Sequence, residues 1–403
     1  MVRKTGFWVV SLLLVALLVQ FAIAQDEGAT VVVEPDGSVV LGVAAALSGE
    51  GLAPLGEDIV RGAELAVEDR PVVTVGDAEF AVSLDPQDDQ CSAEGGQAVA
   101  NLYASNPEIV GVVGPMCSSA CRAAAPIFDE AGYTSISPSC TAADLTTSDF
   151  ASFNRAVVSD AFQGVLAADF IFNTLGVTRI ATIHDGSPYG EGLVSVLTDA
   201  FTELGGEVVA ADAVNVGDTD FRGLLEDIAQ EEPELVYFGG FPAEAARIAQ
   251  QLPDAGLEDV IFMGADGIKT PEFIDLAGEA AEGVYASSSV APTSDELDSF
   301  FERYEETYDT EPTGPFSPNA YDAVNMFLDA IEAVGEVDED GNLVIDRAAL
   351  SEYIRSIQDF QGLMGVLNCD GTGECSVADI EFVHVENGEF VTDAVVSPTT
   401  EEE

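Results

Sequence analysis

The sequence predicts an α/β protein built of two doubly wound, Rossmann-like lobes. Short β-branched runs alternate with longer amphipathic runs from Val39 onward, a pattern typical of parallel sheets covered by helices on both faces. The nine strand-like runs are too many for one domain of ordinary size, and 403 residues are enough for two or three domains. Because the runs divide into two groups near residues 154–159, we expect two lobes.

The elements follow from the spacing of apolar residues. Strands are predicted at residues 39–45, 80–84, 109–113, 134–137, 179–183, 207–211, 235–238, 260–263 and 283–288. Helices between them are predicted at residues 56–68, 94–105, 119–130, 162–175, 190–204, 221–230 and 243–252. The alternation then ends, with helices predicted at 295–308, 319–334 and 347–358. A final hairpin is predicted around Asn387-Gly388, a dipeptide that favours a two-residue turn.

The charge of the chain excludes several classes of partner. There are 73 acidic and 13 basic residues, which give a formal net charge of −60. This charge repels phosphate backbones and anionic lipids, so we expect neither nucleic-acid binding nor binding to a membrane surface. With only two histidines, His184 and His384, a histidine-rich metal centre is not expected. The acidity is consistent with adaptation to high salt or with a lineage-wide composition bias.

The first 24 residues have the order of a secretory signal. Arg3 and Lys4 precede an apolar run at residues 7–19, and the small-residue motif Ala22-Ile23-Ala24 follows. We expect cleavage after Ala24 and export to the periplasm or the cell exterior. The alternative is an uncleaved anchor, because residues 7–24 are barely long enough to span a bilayer. No cysteine lies near the cleavage point, so lipidation is not expected.

All six cysteines follow the expected signal, and an even number in an exported chain indicates disulfides. Fifteen pairings are formally possible. Cys369 and Cys375 close a short glycine-rich loop, and we expect them to pair. A metal site at Cys117 and Cys121 would need further ligands.

Hydroxyl side chains follow two strands of the first group. Ser118 and Ser119 come after the strand at 109–113, and Ser139 and Thr141 come after the strand at 134–137. Ligands of open α/β sheets bind outside the carboxyl ends of the strands, where N–H groups of the next helix point outward. Ser118 and Ser119 could instead be ordinary helix caps. As site residues, these groups would suit a carboxylate.

The residues that follow the strands of the second group carry side chains of a different kind. Tyr189 follows the strand at 179–183, Phe241 follows the strand at 235–238, and Asp266 follows the strand at 260–263. An aromatic pair and one carboxylate suit an ammonium group. Tyr189 could also be a core residue and Asp266 a turn residue before a glycine. The two groups together predict an α-amino acid bound between the lobes.

Several strand-end motifs carry a family resemblance. They are Gly42 to Ser48-Gly49, Gly56 to Gly62-Ala63-Glu64-Leu65-Ala66, Gly114 to Cys117-Ser118-Ser119, Pro138 to Thr141, His184-Asp185 to Tyr189-Gly190-Glu191-Gly192, Tyr237 to Gly239-Gly240, and Phe262-Met263-Gly264. In this order and spacing, the chain resembles the branched-chain amino acid binding proteins of ABC importers from about residue 39 to residue 391.

The resemblance implies a type I periplasmic-binding-protein fold, with three crossovers between the lobes and a ligand cleft that closes by a hinge. It implies an N-terminal lobe of residues 39–158 plus 289–361, a C-terminal lobe of residues 159–288 plus 362–398, and an acidic tail of residues 399–403. The implied partners are an amino acid and the permease subunits of an ABC importer. No cofactor, no metal and no catalysis are implied, and a monomer is expected.

The resemblance also implies roles for individual residues. Ser118 and Thr141 would hold the ligand carboxylate, while the Ser139 carbonyl and Asp266 would take the ammonium. Tyr189 would cover the ligand, and Phe316 would line the side-chain pocket. The family disulfide corresponds to Cys91–Cys117, which leaves Cys121–Cys140.

Three positions depart from the family pattern. Asp266 stands where the family has glutamate, and Leu55 and Phe241 stand where it has tyrosines. The ligand could therefore be an amide, urea or aromatic acid, or the protein could be a sensor. An enzyme is the third alternative, but neither a Gly-x-Gly-x-x-Gly fingerprint nor a Gly-x-Ser-x-Gly elbow follows a predicted strand.

Overall fold

The computed structural model describes residues 30–148, 150–376 and 379–397. The expected signal at 1–24 and the acidic tail at 399–403 lie outside the described residues. Within the described ranges, every helix is either too short or too polar to cross a bilayer.

The elements alternate as the sequence predicts. The strands are β1 (Thr30–Val33), β2 (Ser38–Ala45), β3 (Val72–Val75), β4 (Ala78–Asp88), β5 (Ile109–Val113), β6 (Ser135–Ser137), β7 (Phe153–Arg155), β8 (Arg179–His184), β9 (Glu207–Ala213), β10 (Leu235–Gly239), β11 (Ile261–Gly264), β12 (Tyr285–Val290), β13 (Glu336–Val337), β14 (Leu343–Asp346), β15 (Phe360–Gly362), β16 (Gly365–Leu367), β17 (Asp379–Glu386) and β18 (Glu389–Val396). The helices are α1 (Ala53–Asp69), α2 (Ala93–Ala104), α3 (Ser118–Ala131), α4 (Asp160–Asp169), α5 (Pro188–Glu203), α6 (Arg222–Ala229), α7 (Pro242–Gln251), α8 (Pro271–Ala277), α9 (Asp295–Tyr308), α10 (Ser317–Val334) and α11 (Arg347–Arg355).

Two large sheets organise the molecule. The first has the order β3-β4-β2-β5-β6-β7, and the second has the order β18-β17-β12-β11-β10-β8-β9. The strands of the first sheet are parallel except for β3 at one edge. In the second sheet β8 to β12 are parallel, and the hairpin β17–β18 adds two antiparallel strands. This is the predicted pair of doubly wound lobes, and parallel strands buried on both faces explain the unbroken apolar runs.

The main core of the first lobe lies between the first sheet and helices α1 and α10. Its fully buried members include Leu41, Val43, Ile59, Ala63, Phe327 and Ile331. Helices α1 and α10 approach each other closely at Gly62, where an added Cβ would lie 2.1 Å from the Ser317 carbonyl oxygen. Glycine is therefore required at this crossing.

The core of the second lobe covers both faces of the second sheet. One face carries a cluster around Phe238 and Phe273, and the other carries a cluster around Leu193, Phe201 and Phe382. The hairpin β17–β18 turns at Asn387-Gly388, as predicted, and both residues have positive φ. A two-residue hairpin turn of this kind requires positive φ at both central residues.

The segment at residues 360–376 packs on the first lobe. Met364, Leu367, Cys369 and Cys375 belong to the core cluster around the first sheet. Residues 379–396 then form two strands of the second sheet. From this packing we propose that residues 360–376 belong to the N-terminal lobe, whereas the sequence places the boundary at 361/362.

The structure contains three disulfides, Cys91–Cys117, Cys121–Cys140 and Cys369–Cys375. These are the expected pairs. The alternative of a metal site at Cys117 and Cys121 is excluded, because each of the two sulfurs is bonded to a different cysteine.

Candidate functional site

The amino end of α3 faces the cleft without a side-chain cap. Its N-cap residue is Cys117, which makes no capping hydrogen bond through its side chain. Ser118 Oγ accepts a hydrogen bond from the Ala142 N–H at 3.2 Å, and Ser119 Oγ donates to the Cys91 carbonyl at 2.8 Å. Neither serine is therefore the ordinary cap considered above. The uncapped N–H groups and the helix dipole favour an anion at this point.

The loop after β6 lies beside this helix end. Ser137 Oγ accepts from the Cys140 N–H at 2.9 Å, and Ser139 Oγ donates to the Met116 carbonyl at 2.7 Å. The disulfide Cys121–Cys140 ties the same loop to α3. The backbone of the loop is therefore held in one position relative to Ser118.

The second lobe contributes a carboxylate and an aromatic ring. Tyr189 lies in the first turn of α5, which begins against the end of β10. A Cβ at Gly190 would lie 2.3 Å from the Gly239 carbonyl oxygen, so glycine permits this approach. Tyr189 Oη donates to Asp266 Oδ1 at 3.0 Å and accepts from the Gly267 N–H at 3.2 Å. The tyrosine thus connects the carboxylate to the backbone.

Asp266 is buried, with an exposed fraction of 4%. Burial raises the pKa of its carboxyl to about 6, although hydrogen bonds from Tyr189 and Gln163 act in the opposite direction. A buried carboxylate of this kind gains from a cationic partner. The position can therefore accept an ammonium group.

These groups surround one cavity between the lobes. It is lined by Leu55, Met116, Cys117, Ser118, Ser139, Tyr189, Phe241, Asp266, Gly267 and Phe316. The Tyr189 and Phe241 rings lie 5.4 Å apart between centroids. Phe316 is held by its backbone, because its N–H donates to the buried Asp58 carboxylate at 2.9 Å. The cavity combines an anion-attracting end, a carboxylate and an apolar wall.

Six of the seven predicted site residues line this cavity, namely Ser118, Ser139, Tyr189, Phe241, Asp266 and Phe316. The seventh, Thr141, is buried next to the cavity and does not line it. Cys117 and Gly267 also line it, and each is adjacent in sequence to a predicted residue, while Met116 lies two residues before Ser118. Sequence reasoning treated Leu55 only as a departure from the family pattern.

Sequence reasoning missed Asp160. It is the first residue of α4, and its backbone N–H donates to the Thr141 carbonyl at 2.8 Å. Its carboxyl is fully buried, and burial, followed by the charge of Asp266, raises its pKa well above the ordinary value. The sequence feature that could have indicated Asp160 is its position directly after Ser159, at the boundary between the two groups of predicted strands.

Comparisons with known proteins agree with this architecture. A family model described as a periplasmic binding protein matches residues 38–389. An amino acid binding protein of Pseudomonas aeruginosa is 30% identical over 344 residues, covering 85% of this chain and 88% of the relative. The leucine-, isoleucine-, valine-, threonine- and alanine-binding protein of the same organism is 33% identical over 251 residues, covering 62% and 67%.

Among solved structures, a leucine-binding protein of Thermotoga maritima has a TM-score of 0.80 and 28% identity, covering 89% of this chain and 99% of that chain. These matches confirm the resemblance drawn from the strand-end motifs. The chain therefore belongs to the periplasmic binding protein family and shares the type I fold of its leucine-binding members.

Proposed function

We propose that the protein is an extracytoplasmic solute-binding protein that captures an aliphatic L-amino acid between two closing lobes and delivers it to an ABC importer. The observation that carries this proposal is the pairing across one cavity of an uncapped helix end with a buried carboxylate. An α-amino acid carries one carboxylate and one ammonium, which complement these two groups.

The ligand carboxylate is placed at the amino end of α3. Ser118 Oγ, the uncapped N–H groups at the amino end of α3 and the backbone N–H of Thr141 are its donors. The ammonium is placed at the Ser139 carbonyl and Asp266, on the opposite side of the cavity, and Tyr189 covers it from the second lobe. Water exclusion on closure would strengthen both interactions.

The ligand side chain faces an apolar wall. Leu55, Phe241 and Phe316 line it, and the two tyrosine positions of the family are here without hydroxyl groups. A polar side chain would lose its hydrogen bonds with water and find few partners here. This favours an aliphatic side chain, and the names of the curated relatives that bind leucine, isoleucine and valine support the same choice.

The remaining expectations complete the proposal. The protein is exported with cleavage of residues 1–24, acts as a monomer without cofactor or catalysis, and docks on permease subunits of the importer. The N-terminal lobe comprises residues 39–158 and 289–376, and the C-terminal lobe comprises residues 159–288 and 379–397. Support comes from the family membership and from the packing of the two cores.

Calorimetric titration with L-leucine, L-isoleucine, L-valine and L-alanine tests the proposal. 4-Methylpentanoate and 3-methylbutylamine, which each lack one charged group of leucine, should bind far more weakly. Asp266→Ala should weaken L-leucine binding at least 30-fold, or about 2–5 kcal/mol, because the buried ammonium loses its charge partner. Asp259→Ala, which removes an exposed carboxylate of the same lobe, is the matched control and should bind like the unsubstituted protein.

Two results would contradict the proposal. If benzoate, urea or an amide bound and none of the four amino acids did, the ligand would not be an amino acid, and the ligand class would be that of the compound that binds. Unchanged affinity of Asp266→Ala for L-leucine would make Asp266 a turn residue and remove its role in ammonium binding.

A further inference from the structure

The donors proposed for the ligand carboxylate come from two separate segments of the first lobe. One segment is the amino end of α3, which begins at Ser118, and the other is the loop after β6, which contains Thr141. Donors on two segments can bind one carboxylate only at a suitable separation, because hydrogen bonds weaken steeply as their geometry departs from the preferred one. The contacts that hold the two segments together therefore affect the affinity for the ligand.

Hydrogen bonds fix the backbone on both sides of Thr141. The Cys140 N–H donates to Ser137 Oγ at 2.9 Å, and the Ala142 N–H donates to Ser118 Oγ at 3.2 Å. Among the residues that the structure describes, the N–H of Thr141 has no acceptor. Ser118 Oγ accepts from Ala142 and so retains its own hydrogen for a ligand. The Thr141 N–H and the Ser118 hydroxyl are thus two donors whose relative position matters.

The disulfide Cys121–Cys140 joins these two segments covalently. Cys140 directly precedes Thr141 in the loop, and Cys121 lies three residues after Ser118 in α3. Residues three apart in a helix lie on the same face. Both cysteines are fully buried. The bond therefore fixes the loop against the helix next to both donors.

The noncovalent contacts of the loop lead mostly to other parts of the lobe. Arg155, at the end of β7, donates to the Cys140 and Ala142 carbonyls at 3.1 and 2.9 Å. Ser139 Oγ donates at 2.7 Å to the carbonyl of Met116, which precedes the helix. Apart from the hydrogen bond from Ala142 given above, these contacts do not tie the loop to α3. Without the disulfide, loop and helix can shift apart while these contacts persist.

We propose that the Cys121–Cys140 disulfide is a positioning element of the binding site, which holds the Thr141 N–H and the Ser118 hydroxyl at the separation that the ligand carboxylate requires. This inference rests on the proposed function. A disulfide restricts the conformations of the chain that it closes. A site that is ordered in advance loses less conformational entropy when the ligand binds. The bond therefore contributes to ligand affinity as well as to stability.

Calorimetric titration of the double variant Cys121→Ala/Cys140→Ala with L-leucine tests this inference. We expect the affinity to fall about three- to tenfold, because the ligand must then order the loop. Leu350→Ala is the stability control, since it removes a buried side chain from the core of the same lobe and does not line the cavity. It should bind like the unsubstituted protein. Cys121→Val/Cys140→Ala refills the volume without the bond and should bind no better than the alanine pair.

A double-mutant cycle with Ser118 separates positioning from general destabilisation. With the disulfide intact, Ser118→Ala should weaken L-leucine binding roughly five- to tenfold. Without it, the same change should weaken binding less than about threefold, because the two donors no longer act together on the carboxylate. Phe316→Leu alters the wall of the side-chain pocket instead, and its effect on affinity should be the same with and without the disulfide.

A further measurement requires no substitution. In amide hydrogen exchange of the ligand-free protein, the N–H groups of Cys140 and Ala142 should already be protected. L-Leucine should add protection mainly at Thr141, whose N–H gains its acceptor from the ligand. Rapid exchange at Cys140 and Ala142 until L-leucine binds would show that the disulfide does not order the loop, and would overturn the inference.

The titrations can overturn it in three further ways. These are an unchanged L-leucine affinity of Cys121→Ala/Cys140→Ala, an equal loss of affinity in Leu350→Ala, and recovery of affinity in Cys121→Val/Cys140→Ala. An effect of Ser118→Ala that is the same with and without the bond would also contradict positioning. Each of these results leaves the amino-acid function in place, whereas absence of binding of all four aliphatic amino acids to the unsubstituted protein would overturn both.

Discussion

The ion pair between Arg155 and Glu374 compensates a buried charge next to the loop after β6, because Arg155 also donates to the Cys140 and Ala142 carbonyls. Its contribution to stability can be tested. Arg155 is fully buried where the chain first leaves the first sheet, and Glu374 lies in the loop closed by Cys369 and Cys375. Arg155 Nε donates to Glu374 Oε2 at 2.8 Å, and Nη2 contacts Oε1. The change Glu374→Gln keeps the shape of the side chain and an acceptor oxygen. It leaves the guanidinium without its charged partner.

The cost follows from the burial of the two groups. Loss of one partner of a buried ion pair typically costs about 3–5 kcal/mol. The Glu374 side chain is 24% exposed, so we reduce the figure for solvent screening to about 2–3 kcal/mol. For a unit of 150–250 residues each kcal/mol shifts the melting temperature by about 2–4 °C, so we expect a fall of about 4–12 °C.

Differential scanning calorimetry measures this change, and Asp220→Asn is the matched control. It removes the same charge from an exposed pair with Arg222. The control is needed because the chain carries a net charge of −60, and loss of any carboxylate relieves repulsion. If Glu374→Gln and Asp220→Asn melt within about 1 °C of each other, Glu374 does not compensate the buried cation.

Two further predictions concern a titrating core group and the carboxylate end of the cleft. Burial raises the pKa of Asp322 to about 7, so the folded state binds this proton more tightly than the unfolded state and its stability contribution is lost as pH rises from about 4 to about 7. Asp322→Asn should flatten the fall of melting temperature with pH at constant ionic strength, and parallel curves would contradict the assignment. Ser118→Ala should weaken L-leucine binding roughly five- to tenfold through loss of one hydrogen bond, whereas Ser119→Ala, whose hydroxyl binds the Cys91 carbonyl, should not. Equal calorimetric affinities of the two serine variants would show that the hydroxyl of Ser118 does not contact the ligand.

Much of the candidate site was accessible from local sequence, because parallel sheets impose a rule on it. Ser118 and Asp266 directly follow strands, or are separated from them by a few residues, and the carboxyl ends of parallel strands meet at one edge. Charge complementarity between the two groups of strand ends then indicated a zwitterionic ligand. The turn at Asn387-Gly388 could also be predicted from local sequence, since it depends on the backbone conformation of two residues.

The core that residues 360–376 join was not accessible in the same way. The run around Met364 and Leu367 is short and apolar, and nothing in its spacing indicates which of the two cores it joins. Tertiary packing decides this, with both side chains in the core of the first sheet. The role of Glu374 also could not be predicted from local sequence, because an acidic residue in a glycine-rich loop is normally solvated. In the fold it is the charged partner of a buried arginine 219 residues away.

The sequence by itself determined the two-lobe architecture, the family and most of the cavity lining, because periodicity and strand-end chemistry are properties of neighbouring residues. Only the tertiary structure decided the burial of Asp160. By sequence it is an acid in the first turn of a helix, a position that the helix dipole normally stabilises. In the fold its carboxyl is buried, Arg155 donates to other acceptors, and the charge of Asp266 adds to the burial that raises the pKa of Asp160. The electrostatic energy of a buried group depends on charges brought from distant parts of the chain, and no local pattern records them.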